Sequence, residues 1–263
     1  MITIPSYIIE SRDHYILKHV ESLSKAADKK NDFKTTIEWL EDNGWLELED
    51  AFDKLNDKDL SSYHRTKRTI EDIVTNNVVE GKSWFVTLTY DNDHQPNNIK
   101  DARYSLRKFF ENLRVQNIDI SYIAVHETKP RWHWHIIIFE GIERDYNELV
   151  KTNKGRNFKA ARSNTLDKWK NGFYDMQLIS YQDNEKLGGY LTKYILKENV
   201  GFGVRKYSTS NGLKRSKYHY DYLDIDLKDL EVIQEKSYSN RYMGQVFERK
   251  FKKPKKMTHE DAL

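Results

Sequence analysis

A chain of 263 residues with 38% hydrophobic, 32% charged and 13% aromatic residues can bury one large core, or one core and a smaller domain, and is too aromatic for a disordered chain. The formal net charge of +3 is weak evidence for any partner, and the lack of cysteine excludes a disulfide framework, a thiolate zinc site and a cysteine nucleophile. No apolar run reaches membrane-spanning length and the N-terminus lacks a signal-peptide layout, so a soluble, cytoplasmic protein with no membrane partner is expected.

Residues 1–60 read as a helical N-terminal extension. Apolar residues from Thr36-Ile37-Glu38-Trp39-Leu40 to Phe52 and Leu55 recur at helical intervals, with a break at Asn43-Gly44 and an excess of carboxylates over 38–59. A second helix spans Ser61 to Val79, with Arg65, Lys67 and Arg68 on its early turns and Ile70, Ile73 and Val74 as its apolar stripe. Trp84–Tyr90, β-branched and aromatic, reads as a central strand, and Asp91–Asn98 as a turn-rich loop. Ile99, Ala102, Leu106, Phe109, Phe110 and Leu113 then form the apolar face of a helix ringed by Arg103, Arg107, Lys108 and Arg114.

Ile118–Glu127 is a further strand, and the turn Thr128-Lys129-Pro130-Arg131 pairs it in an antiparallel hairpin with Trp132–Phe139. Residues 146–170 read as a helix stopped near Gly172, Phe173–Tyr181 as a strand, and Glu185–Lys197 as a helix. Arg205–Gly212 reads as an irregular strand and turn. Leu227–Lys236 is a short helix within a helical segment over 216–248, and 249–263 is a basic tail expected to be disordered. The order over 61–215 predicts an α+β domain: a central antiparallel sheet with helices packed on it, of which the ferredoxin-like arrangement is the nearest member.

The chemistry centres on His133-Trp134-His135. Strand side chains alternate faces, so the two histidines point one way and Trp134 the other, and both imidazoles can reach one divalent ion. Hairpin parity selects the third ligand. A loop with an odd number of residues, such as Lys129-Pro130-Arg131, sets Glu127 opposite His133 and Val125 opposite His135; a two-residue loop would bring His126 there instead. Glu127 is the favoured ligand. Two neutral imidazoles and a carboxylate suit Mg²⁺ or Mn²⁺ at a phosphate. Downstream, Tyr190 and Tyr194 share a helix face at i and i+4, with Lys193 on a neighbouring stripe. A tyrosyl oxygen becomes a competent nucleophile when nearby positive charge stabilises its phenolate.

Taken together, Phe85-Val86-Thr87-Leu88-Thr89-Tyr90, Glu127 with His133-Trp134-His135, and Tyr190-Leu191-Thr192-Lys193-Tyr194 resemble, in order and spacing, the three motifs of HUH endonucleases that initiate rolling-circle replication. The likeness is to the filamentous-phage gene II type and its small phage and plasmid relatives, and it covers roughly 61–215. The resemblance implies Mg²⁺- or Mn²⁺-dependent nicking of one DNA strand, with Tyr190 linked to the 5′-phosphate and Tyr194 as the second tyrosine. It also implies origin DNA, single-stranded or supercoiled, as partner, with a host helicase and polymerase in a prokaryotic cytoplasm. Arg103, Arg107, Arg131, Lys197 and Arg205 are the basic residues assigned to DNA. A transposase or relaxase with the same chemistry, or a non-catalytic DNA-binding protein with structural histidines, are the alternatives. The loop before His133 departs from the family in having Lys129-Pro130-Arg131 where a glycine is usual, and no GxxxxGK[ST] loop suggests a fused helicase.

Overall fold

The computed structural model describes residues 6–20, 57–151, 156–179, 184–197, 207–219, 227–240 and 244–254. In chain order the elements begin with strands β1 (Ser6–Glu10) and β2 (His14–Val20), helix α1 (Asp57–Asn77), strand β3 (Trp84–Tyr90) and helix α2 (Ile99–Val115). There follow β4 (Ser121–Glu127), β5 (His133–Glu140), β6 (Tyr146–Lys151), β7 (Asn157–Arg162), a 3-10 turn at Leu166–Lys168 and β8 (Gly172–Leu178). Helix α3 (Asn184–Lys197) and strands β9 (Ser208–Thr209), β10 (Lys217–His219), β11 (Val232–Asn240) and β12 (Gly244–Lys252) complete the series. Two compact units result, one over Asp50–Lys214 and one from Met1–Glu49 with Arg215–Leu263.

The Asp50–Lys214 unit is built on a five-stranded sheet in the order β8-β3-β5-β4-β9. Its ladders are all antiparallel. Among its four long strands, the order is that of a ferredoxin-like sheet, as expected. Alternation along β3 and β5 gives the sheet two different faces. Trp84, Val86, Leu88 and Tyr90, with Trp134, Ile136 and Ile138, pack in one cluster against Ala102, Leu106, Phe109, Phe110 and Leu113 of α2. Burying such side chains stabilises the unit by about 1.5–3 kcal/mol each. Asn98 caps α2 by accepting from the amides of Lys100 and Asp101. Inside this cluster the Trp134 indole donates to the Tyr90 hydroxyl at 3.2 Å.

Phe85, Thr87, Thr89, His133, His135 and Ile137 occupy the other face, where α3 packs on β4 and on α1. Gly188 allows that approach: a Cβ there would lie 3.0 Å from the Cα of Glu71 on α1. Gly172 opens β8 at φ +152°, where a Cβ would collide with the Thr89 carbonyl. It therefore starts a strand and does not stop a helix.

Several expected helices are strands. Residues 146–170 form the β6–β7 hairpin and the 3-10 turn, so the second crossover has no helix. The apolar spacing of Tyr146, Leu149, Val150 and Phe158 fits a helical period, yet Tyr146, Leu149 and Phe158 are exposed, and the turn-forming Asn153-Lys154-Gly155 interrupts the run. The helical reading of 1–60 fails where the chain is described, because β1 and β2 are strands; residues 36–55 lie outside the described residues. The expected helix at 227–236 and the helical segment over 216–248 are replaced by β10, β11 and β12, and β12 also takes in 249–252 of the expected disordered tail.

These strands make the second unit's sheet, in the order β10-β1-β2-β12-β11. Their partners lie some two hundred residues away in sequence (Ile8 opposite His219, Lys18 opposite Glu248), so no local period announces them. Glu248 is buried between Lys18 and Lys236, with each ammonium 2.8 Å from one of its oxygens.

Candidate metal and tyrosine site

The β4–β5 hairpin takes the odd-loop register: Glu127 lies opposite His133 and Val125 opposite His135. All three candidate ligands therefore share one face. Glu127 Oε2 is 2.9 Å from His133 Nε2 and 3.0 Å from His135 Nε2. The three ligand atoms fall within 4.8 Å of one another. His126 lies opposite Trp134, on the α2 face, where it is buried and stacked on Trp132. Burial, reinforced by the charge of Arg103, lowers its pKa to about 4. The alternative third ligand is thus excluded by strand parity.

The donor set fits a cation. His133 Nδ1 is 2.6 Å from the backbone carbonyl of Arg131. A carbonyl can only accept, so this contact holds the proton on Nδ1 and leaves the Nε2 lone pair of the neutral ring aimed at the Glu127 carboxylate. Two acceptors this close need a positive charge between them, either a proton or a metal ion. Two imidazole nitrogens and a carboxylate also leave coordination positions open.

Helix α3 brings the tyrosines over this group. The Tyr194 ring stacks on His135 at 3.6 Å between centroids, and its hydroxyl donates to the Tyr190 hydroxyl at 2.5 Å. Tyr194 is 7% exposed and Tyr190 42%, so the inner hydroxyl is sequestered and the outer one reaches solvent. Burial holds the Tyr194 hydroxyl well above the ordinary tyrosine pKa, with its hydrogen bond to Tyr190 and the charges of Tyr190 and Glu127 adding to the effect. Tyr194 stays protonated and acts as a donor.

The other expected site residues separate. Lys193 is half-buried, and among the described residues no hydrogen bond joins it to either tyrosine. Arg131 lies in the loop before His133, with its guanidinium 3.5 Å from the Tyr90 carbonyl. Arg103 and Arg107 sit on α2, over the opposite face of the sheet, and exposed Arg107 pairs with Glu111 at 3.4 Å. Lys197 is the last residue of α3, and Arg205 lies outside the described residues.

Phe85 belongs to the site although the motif pattern does not single it out. Its ring lies 5.9 Å from that of His135 and meets Tyr190 edge-on at 5.4 Å. Thr87 and Thr89, opposite His135 and His133, continue the floor of the site. Counting parity along β3 from Thr89 is the signal that finds all three.

An antiparallel α+β sheet carrying a two-histidine, one-glutamate group beneath a tyrosine helix defines a candidate metal-dependent phosphodiester site. Residues 83–199 match the family model of replication-associated proteins of the ORF2 and gene II type, and this segment belongs with that family. A curated relative, the "Replication-associated protein ORF2" of Spiroplasma virus 4, is 31% identical over 126 residues, covering 42% of this chain. The chain spans 38% of that relative's length. No solved structure matches the chain. Among the described residues no helix is long and apolar enough to cross a membrane.

Proposed function

We propose that the chain initiates DNA replication by nicking one strand of a phage or plasmid origin through a covalent tyrosyl intermediate, as an HUH endonuclease. The observation that carries this reading is the half-exposed Tyr190 hydroxyl, hydrogen-bonded by Tyr194, whose ring in turn stacks on a metal-competent His135. The match of 83–199 to replication-associated proteins supports the biological setting.

In this reading Glu127, His133 and His135 hold Mg²⁺ or Mn²⁺. The ion, when bound, withdraws charge from the scissile phosphate and favours departure of the 3′-oxygen. Tyr190 Oη forms the bond to phosphorus while the bond from phosphorus to the 3′-oxygen breaks. The phenolic proton leaves to solvent and the 3′-oxygen takes one up. Tyr194 donates to Tyr190 Oη throughout, stabilising the phenolate character that the attack requires. The protein then carries a 5′-phosphotyrosine, and the freed 3′-hydroxyl is a primer end for a host polymerase behind a host helicase. Attack of a 3′-hydroxyl on the phosphotyrosine reverses the step and rejoins the strand. Lys193 is not needed for this step.

The test is nicking of single-stranded DNA from the encoding replicon. Cleavage with Mg²⁺ or Mn²⁺ that stops with chelator and in His133→Ala with His135→Ala supports the reading. Cleavage unaffected by both would leave the histidines structural.

A further inference from the structure

The face of the sheet opposite the tyrosines carries a groove that the nicking chemistry does not use. It lies between α2 and the Leu166–Asn171 segment and encloses about 540 Å³. Buried Phe109 and Trp169 meet edge to face at 5.4 Å at its floor, and its lining contains three lysines, Lys108, Lys168 and Lys170, and no carboxylate. Lys108 is paired with Glu111 at 3.1 Å. Lys168 and Lys170 bind neutral oxygens instead, the Gln116 side-chain amide at 2.5 Å and the Asp167 backbone carbonyl at 3.1 Å, so their charges stay available to an anion. At the rim Tyr104 is 55% exposed, with the Arg107 guanidinium 5.5 Å and the Lys108 ammonium 5.7 Å from its ring centroid.

We infer that this groove is a second nucleic-acid site, one that takes a single-stranded DNA segment with phosphates on Lys168 and Lys170 and an unpaired base on Tyr104. Uncompensated lysines beside an exposed aromatic ring match a strand that alternates anionic phosphates with stackable bases. A duplex offers no free base face to Tyr104, which is why the occupant is single-stranded. Because α2 covers the sheet face opposite Tyr190, strand held here is held apart from the strand being cut. The proposal goes beyond the nicking reading and does not depend on it.

The experiment measures fluorescence anisotropy of an oligothymidylate of about 16 nucleotides with full-length protein in a Tyr190→Phe background, over a salt series. No cleavage enters the readout, so failure here and failure of the nicking reading are distinguishable. Lys168→Gln with Lys170→Gln should lower the slope of log affinity against log salt by about 1.4, or about 0.7 for each phosphate no longer neutralised. Tyr104→Ala should weaken binding about tenfold while Tyr104→Phe keeps it. On the unaltered chain, an iodouridine oligonucleotide should photo-crosslink to the peptide containing Tyr104. Unchanged slope and affinity in the variants, or crosslinks confined to the tyrosine face, would overturn the proposal. So would a groove that binds an acidic peptide but not the oligonucleotide.

Discussion

Tyr194 donates its hydroxyl to Tyr190 across one turn of α3, at 2.5 Å, while its own ring lies flat on His135. The two tyrosines are therefore unequal. The inner one is buried, kept protonated and packed on a candidate metal ligand; the outer one receives a hydrogen bond and reaches solvent.

That inequality predicts different kinetics for the two Phe variants. Tyr194→Phe removes a donor to a developing phenolate, a hydrogen bond to a charged group of about 1.5–3 kcal/mol, and should slow single-turnover nicking about tenfold or more without abolishing it. A rate equal to that of the unaltered chain would mean that the hydrogen bond plays no part in the reaction.

Metal binding should follow strand parity. Titration calorimetry with Mn²⁺ should show His135→Ala or Glu127→Ala weakening binding by at least about tenfold. His126→Gln, on the other face, should leave Mn²⁺ affinity unchanged. If His126→Gln weakened binding as much as His135→Ala, the hairpin register would be wrong.

The hairpin shows how much of the site is legible in the sequence. Strand parity needs only the count of loop residues, and Lys129-Pro130-Arg131 leads to the pairing of Glu127 with His133 that the structure has. The apolar face of α2, from Ala102 to Leu113, is equally legible because a period of 3.6 with five buried positions is a strong signal. The β6–β7 hairpin is not. Its apolar residues keep a helical spacing by coincidence, and its ladder alone decides the outcome. Nor are β1, β2 and β12, whose pairing joins the two ends of the chain. Phe85 escapes notice because an aromatic residue in a core-like strand reads as packing until its partners are known.

Gly188 should tolerate no side chain. A Cβ there meets Glu71 at 2.9–3.0 Å, on atoms that include the backbone of α1. Gly188→Ala should cost about 1–3 kcal/mol of unfolding free energy in urea and displace the tyrosine helix. Unchanged stability together with unchanged nicking would show that the two helices separate without penalty.

The buried ion pairs of Glu248 give the second unit a pH dependence. Burial opposes ionisation of Glu248, but the hydrogen bonds and charges of Lys18 and Lys236 outweigh it and hold the carboxyl below its ordinary value. With the folded pKa depressed, the stabilisation is present above the unfolded value of 4.5 and is lost as the pH falls through the folded one. Glu248→Gln should cost about 3 kcal/mol near neutral pH and flatten the acid limb of the stability curve. An acid limb of the same steepness in the variant would assign the effect to other carboxyls.

The central claim is that Tyr190 is the group that becomes joined to DNA. The most direct test is a single-stranded origin oligonucleotide with a 3′-bridging phosphorothiolate at the nick, incubated with Mn²⁺, followed by digestion and mass spectrometry of the DNA-bearing peptide. The modification should sit on Tyr190, vanish in Tyr190→Phe and persist in Tyr194→Phe. An adduct on Tyr194 in the unaltered chain, or one that survives when both tyrosines are phenylalanine, would contradict the account.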